Sequence, residues 1–264
     1  ISYIIHVVKM LKYILILLIS VLISDIAVSD IKFNDRIEQY QLKNGLKIIL
    51  IKDDRSPSVI SSIWYKVGSS YEYEGVTGIS HVLEHMMFKG TQNTKPGEFS
   101  KEIKKIGGTE NAFTGKDFTG YYQKVHKDYI ELCIKFESDR MTNLDLSEHD
   151  LTSEREVVKE ERRLRTEDKP TSKIFEKIGL QVFGFNGYGI PIIGTMRDIN
   201  SITVEDLKKW YSNYYVPNNA TVIIAGSFDR EKTKKLIQKH YGKIKKKSIK
   251  NFSKNNYIPI SYAD

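Results

Sequence analysis

The chain has 264 residues, 40% hydrophobic and 28% charged, enough for one large domain or two small ones with a sizeable core. Its single cysteine, Cys133, excludes an internal disulfide and any cysteine-based zinc cluster, and its apolar surroundings read as those of a buried structural thiol. The formal charge of +8 is concentrated in residues 231–254, a solvated helix face and basic linker without a nucleic-acid motif, so no nucleic-acid partner is expected.

From Met10 the chain reads MLKYILILLISVLISDIAVSD. Lys12 precedes a short apolar run, and Ala27 and Ser29 stand at the spacing of a signal-peptidase site. The run is shorter than the roughly 20 residues a spanning helix needs. Residues 1–29 therefore read as a secretory signal cleaved near Ser29–Asp30, with an uncleaved membrane anchor as the alternative. Either reading implies a periplasmic or secreted setting.

Residues 44–52 (NGLKIILIK) and 58–66 (SVISSIWYK) read as strands, rich in β-branched and aromatic residues and separated by a polar turn. A glycine-bearing loop leads into a helix within GISHVLEHMMFKGT, residues 78–91. Residues 97–106 form a short helix stopped by Gly107-Gly108. TENAFTG and DFTGYYQKV alternate like paired strands. Helices follow at about 127–142, 148–167 and 171–183, then at 203–214, where Thr203 and Asp206 have capping-box spacing. Residues 219–226 read as a strand and 229–241 as a last helix. Hairpin-like pairs among helices favour an α+β fold with a mixed, largely antiparallel sheet.

The chemistry lies in His81, Glu84 and His85. On a helix, residues four apart share a face, so the two imidazoles can reach one ion. Glu84 stands beside that ion and suits a base that takes a proton from water activated by the metal. A catalytic zinc needs a third protein ligand and an open position. The acidic helix 153–168 offers candidates, and helical phase divides them. Glu156, Glu160, Arg163 and Glu167 form a self-paired solvated stripe. Glu154, Val157, Glu161 and Leu164 form a second stripe that mixes apolar and acidic residues. Two carboxylates on a stripe facing the core need a cation or strong donors. Glu154 and Glu161 are thus both functional candidates, and Glu160 is not.

With these residues in view, the sequence resembles the pitrilysin/insulinase-type zinc peptidases, whose signature is the inverted motif H-x-x-E-H. The resemblance covers about residues 37–245, including VGSSYEYEGVTGISHVLEHMMFKGT, GGTENAFTGKDFTGYYQKV and EREVVKEERRLRTEDKP. It extends to the bacterial secreted branch and to the catalytic subunit of the mitochondrial processing peptidase. It implies that His81, His85 and Glu161 bind one Zn2+, that Glu84 is the catalytic base, and that Glu154 supports the site from behind. It also implies that Asn111, Ala112, Phe113 and Thr114 lie on an edge strand that pairs with an extended peptide or unfolded protein substrate.

The resemblance implies a zinc peptidase domain over residues 30–245 and the start of a linker at 246–264. Members of the family carry a second, similarly folded domain that closes over the first like a clamshell, so a second homologous domain or subunit is an expected partner. The competing reading is a non-catalytic scaffold subunit of the same fold. Such relatives characteristically lose ligands, whereas all four key residues are present here.

Overall fold

Strand alternation builds a six-stranded sheet from β1 (Ile37–Gln41), β2 (Lys47–Lys52), β3 (Ser58–Tyr65), β4 (Thr109–Thr114), β5 (Thr119–His126) and β6 (Ala220–Gly226). The computed structural model describes residues 33–184 and 187–250, so the signal-like segment lies outside the described residues. Among the described residues no helix is long and apolar enough to cross a membrane.

The strand order is β1-β2-β6-β3-β5-β4, with β2 and β6 parallel and the other neighbours antiparallel. This is the mixed, largely antiparallel α+β sheet expected from the sequence. One cross-strand row shows how the register is held: Ile48, Val222, Ile63 and Tyr121 are successive partners, and all four are buried. A one-residue slip in any strand would send its apolar set to the opposite face. The row continues to Ala112 on β4, so packing of the sheet also places the edge strand.

The helices are α1 (Ile79–Met86), α2 (Glu98–Lys105), α3 (Ile130–Asn143), α4 (Glu148–Arg162), α5 (Pro170–Phe183), α6 (Met196–Ser201), α7 (Val204–Tyr214) and α8 (Arg230–Tyr241). The expected capping box at α7 is present: Thr203 accepts from the Asp206 amide and Asp206 accepts from the Thr203 amide. β1 and α6 are additions to the sequence reading, and a four-residue helical turn (Phe33–Arg36) precedes β1. The stretch expected to be helical from 127 opens with a 3-10 turn, Lys127–Tyr129. Of the expected linker, residues 247 and 250 are tied to the body by Asn218 and Asn213.

α4 corrects one expectation. Val157 and Leu164 are 48% and 57% exposed, so the stripe carrying Glu154 and Glu161 does not face the core. The buried line is Leu151, Val158 and Arg162, and the two carboxylates sit on the flank of that line turned toward α1. The helix also ends earlier than expected: residues Arg163–Glu167 form a π-helical turn. The other stripe behaves as anticipated, with Glu156 paired to Lys159 and Glu160 to Arg163 at the surface.

A buried guanidinium, that of Arg140, sits among aromatic rings. Arg140 pairs with Glu137, which also accepts from Gln123, and it stacks within 4.7–5.2 Å of the rings of Phe88, Phe99 and Tyr121. A buried charge survives only with such partners.

Candidate active site

The motif helix is held from its N-terminal end. Helix N-termini leave N–H groups unpaired, and here the buried carboxylate of Glu72 accepts from the amides of Gly78 at 2.6 Å and Ser80 at 2.9 Å. Asp198 of α6 accepts from the Gly75 and Thr77 amides and the Thr77 hydroxyl. Gly78 has φ 87°, and a Cβ there would meet the Ile193 carbonyl at 2.5 Å, so glycine is required by both backbone and space. These contacts fix where α1 begins and therefore where its histidines point.

Burial pushes the Glu72 carboxyl up from 4.5 to about 7, against the hydrogen bonds it accepts. The native protein then holds this proton more tightly than the unfolded chain. The stabilisation is complete below about pH 4.5 and is lost as pH rises to about 7, at up to about 1.4 kcal/mol per unit. Glu72→Gln should flatten the stability profile across that window, read by denaturant unfolding at several pH values. An unchanged slope would assign the dependence to other groups.

Ile79, Val82, Leu83 and Met86 bury α1 in the core, and His81, Glu84 and His85 line a cleft of about 1090 Å³ on its other side. His81 Nε2 lies 3.7 Å from Glu161 Oε1, and His85 Nε2 lies 3.4 Å from Glu161 Oε2. One ligand atom from each of the three residues falls within 4.8 Å of the others. Ligand atoms about 2.1 Å from a tetrahedral ion stand about 3.4 Å apart, so this donor set fits zinc. Glu154 stands behind, its Oε2 3.0 Å from His85 Nδ1.

Electrostatics agree with a cation site. Burial, then the neighbouring His85, pushes His81 down to about 4, leaving its imidazole neutral. Burial also works against charge on His85, but hydrogen bonds to Glu154 and Glu161 outweigh it and raise it to about 9. A proton on His85 thus answers the two carboxylates that converge there. Glu161 is held low, first by its bond to His85. Burial raises Glu84, and its hydrogen bond from Thr114 opposes that rise.

The residues expected on the substrate strand are also here. Asn111, Ala112, Phe113 and Thr114 lie on β4, at the sheet edge, and line the same cleft. The Thr114 hydroxyl is engaged, donating to Glu84 Oε2.

Comparison with known proteins now decides the family. The description "Insulinase (Peptidase family M16)" matches residues 47–196, and "Peptidase M16 inactive domain" matches residues 201–263. The chain belongs to peptidase family M16. It is 37% identical over 226 residues to the zinc protease PqqE of Helicobacter pylori, covering 85% of this chain and 50% of that protein. It is 32% identical to the uncharacterized zinc protease YmxG of Bacillus subtilis, covering 78% of this chain and 50% of that one. The crystal structure of a protease from Helicobacter pylori superposes with a TM-score of 0.77 at 35% identity, covering 81% of this chain and 52% of that one. This M16 chain spans about half the length of the curated relatives it matches.

Sequence reasoning missed several residues that the M16 fold brings to the site. Lys89 pairs with Glu154 at 2.6 Å, and Arg165, on the π-helical turn, pairs with Glu161 at 2.8 Å. Both follow a recognised site residue by four positions, His85 and Glu161 respectively, so helical spacing could have found them. Glu72 and Asp198 had no such signal, because most of their partners are backbone amides, which carry no side-chain pattern.

Proposed function

We propose that this chain is the metal-binding half of a zinc-dependent endopeptidase that hydrolyses peptide bonds in extended or unfolded polypeptides. The observation that carries the reading is the convergence of His81, His85 and Glu161 within 4.8 Å, with Glu84 on the same cleft wall. One zinc per chain would be held by those three residues, leaving an open position. When bound, the ion supplies the Lewis acidity that brings the pKa of water to about 7.

The remaining work falls to the chain's own groups. Glu84 takes the proton of the attacking water and delivers it to the departing amine. The Thr114 hydroxyl holds one oxygen of Glu84, whose side chain lines the cleft. Glu154 orients His85 through Nδ1, so that Nε2 presents its lone pair. Among the described residues no strand pairs with the outer edge of β4, which is thus open to an extended substrate, a mode that reads backbone before side chains and suits loose sequence preference.

A second homologous domain or subunit closes over the cleft in this reading, supported by the relatives being about twice as long. The periplasmic or secreted setting rests on the signal-like residues 10–29. The scaffold alternative is disfavoured because no ligand position has been lost. Metal content of the full chain after dialysis, with hydrolysis of an unfolded protein measured alongside, tests the reading. Near one zinc per chain supports it. A folded chain without zinc or hydrolysis would make the scaffold the better account.

A further inference from the structure

We propose that Lys89 is a positioning residue for the metal centre, setting zinc affinity through Glu154 and His85. The inference rests on the zinc reading above. Lys89 lies four positions after His85, just past the end of α1, where the chain continues in a turn closed by its amide on the Met86 carbonyl at 3.0 Å. That turn aims its side chain along the cleft wall. Its Nζ stands 2.6 Å from Glu154 Oε1, while the other oxygen, Oε2, stands 3.0 Å from His85 Nδ1. Two donors on two oxygens fix the carboxylate at both ends, where one bond would leave it free to swing about its terminal torsion.

The orientation matters because of what the ring does next. A donor at Nδ1 fixes the tautomer of His85 and leaves Nε2, 3.4 Å from Glu161, as the metal-facing nitrogen. The other imidazole has no equivalent support: among the described residues, His81 Nδ1 is buried without a hydrogen-bond partner. Hydrogen-bonded support at Nδ1 is thus confined to His85, and Lys89 is the outer end of that arm. Glu154 and Lys89 are both largely shielded, at 12% and 26% side-chain exposure, so solvent competes weakly for their bond.

Charge and position make opposite predictions, which allows the role to be decided by sign. An ammonium near a divalent cation repels it, so a purely electrostatic lysine would weaken zinc binding and its removal would tighten it. A positioning lysine does the reverse. Loss of an outer partner of a metal ligand typically costs roughly 10- to 100-fold in affinity. Lys89 acts one bond further out, so the lower end, about tenfold, is expected.

The experiment is zinc affinity of the full chain by competition with a chromophoric chelator, for wild type, Lys89→Met and Lys89→Arg, with circular dichroism to establish folding. Lys89→Met should bind zinc about tenfold more weakly, and Lys89→Arg should recover most of the loss. In the Glu154→Gln background, adding Lys89→Met should cost little more, because both act through one path. This last comparison also stands if Lys89→Met alone folds poorly. Unchanged or tighter binding in Lys89→Met, or full additivity with Glu154→Gln, would overturn the inference. A folded wild-type chain that takes up no zinc would overturn the zinc reading itself and this inference with it.

Discussion

Glu161→Gln should release the metal while leaving the fold intact. Glu161 supplies an oxygen to each histidine side of the proposed site, 3.7 Å from His81 Nε2 and 3.4 Å from His85 Nε2. An amide offers one weaker acceptor and brings an NH2 group toward nitrogens that must present lone pairs. The loss should exceed the roughly 10- to 100-fold that an outer partner costs, since a direct ligand disappears. Glu161 is on the flank of α4, so the core line through Leu151 and Val158 is untouched and the unfolding midpoint should move little. Glu160→Gln is the control. Its carboxylate is 56% exposed and pairs with Arg163, so zinc binding should be unchanged. Equal zinc content in wild type and Glu161→Gln would remove Glu161 from the ligand set.

Glu84→Gln should have the opposite profile, keeping the metal and losing hydrolysis. Glu84 is on α1 between the two histidines but outside the group of three that converge on one point. Its carboxylate is buried against Thr114, and glutamine can keep that hydrogen bond through its carbonyl oxygen. What glutamine cannot do is accept a proton from water. General-base contributions run to about 10²–10⁴ in rate, so turnover should fall by that factor with zinc content unchanged. Turnover within a few-fold of wild type would sink the assignment of Glu84 as base.

Much of the fold was legible because its elements carry strong local patterns. β2 and β3 are runs of β-branched and aromatic residues, and Thr203 with Asp206 marks the start of α7 by side-chain chemistry alone. β1 was not legible, because IEQYQ is short, polar and at the sheet edge, where only pairing with β2 gives it strand structure. α6 was hidden in the same way, since its six residues are anchored by Asp198 reaching across to Gly75 and Thr77.

At the site, spacing placed His81, Glu84 and His85 on one helix, and phase selected Glu154 and Glu161 from a crowd of acids. The premise behind that selection was too strong. The stripe with Val157 and Leu164 is not buried, and a helix flank facing a neighbour across a cleft satisfies the same periodicity as one facing the core. Which acid meets which histidine is a tertiary fact, set by the α1–α4 packing, and one helix considered alone could not supply it.

The clasp of Asp198 on Thr77 spans 121 positions of chain. At synthesis rates of roughly 5–20 residues per second, the ribosome needs about 6–24 s to cover that interval. The two histidines therefore emerge well before the residue that pins the loop leading to their helix. During that interval the nascent chain carries its imidazoles on a loop and helix that lack the Asp198 clasp.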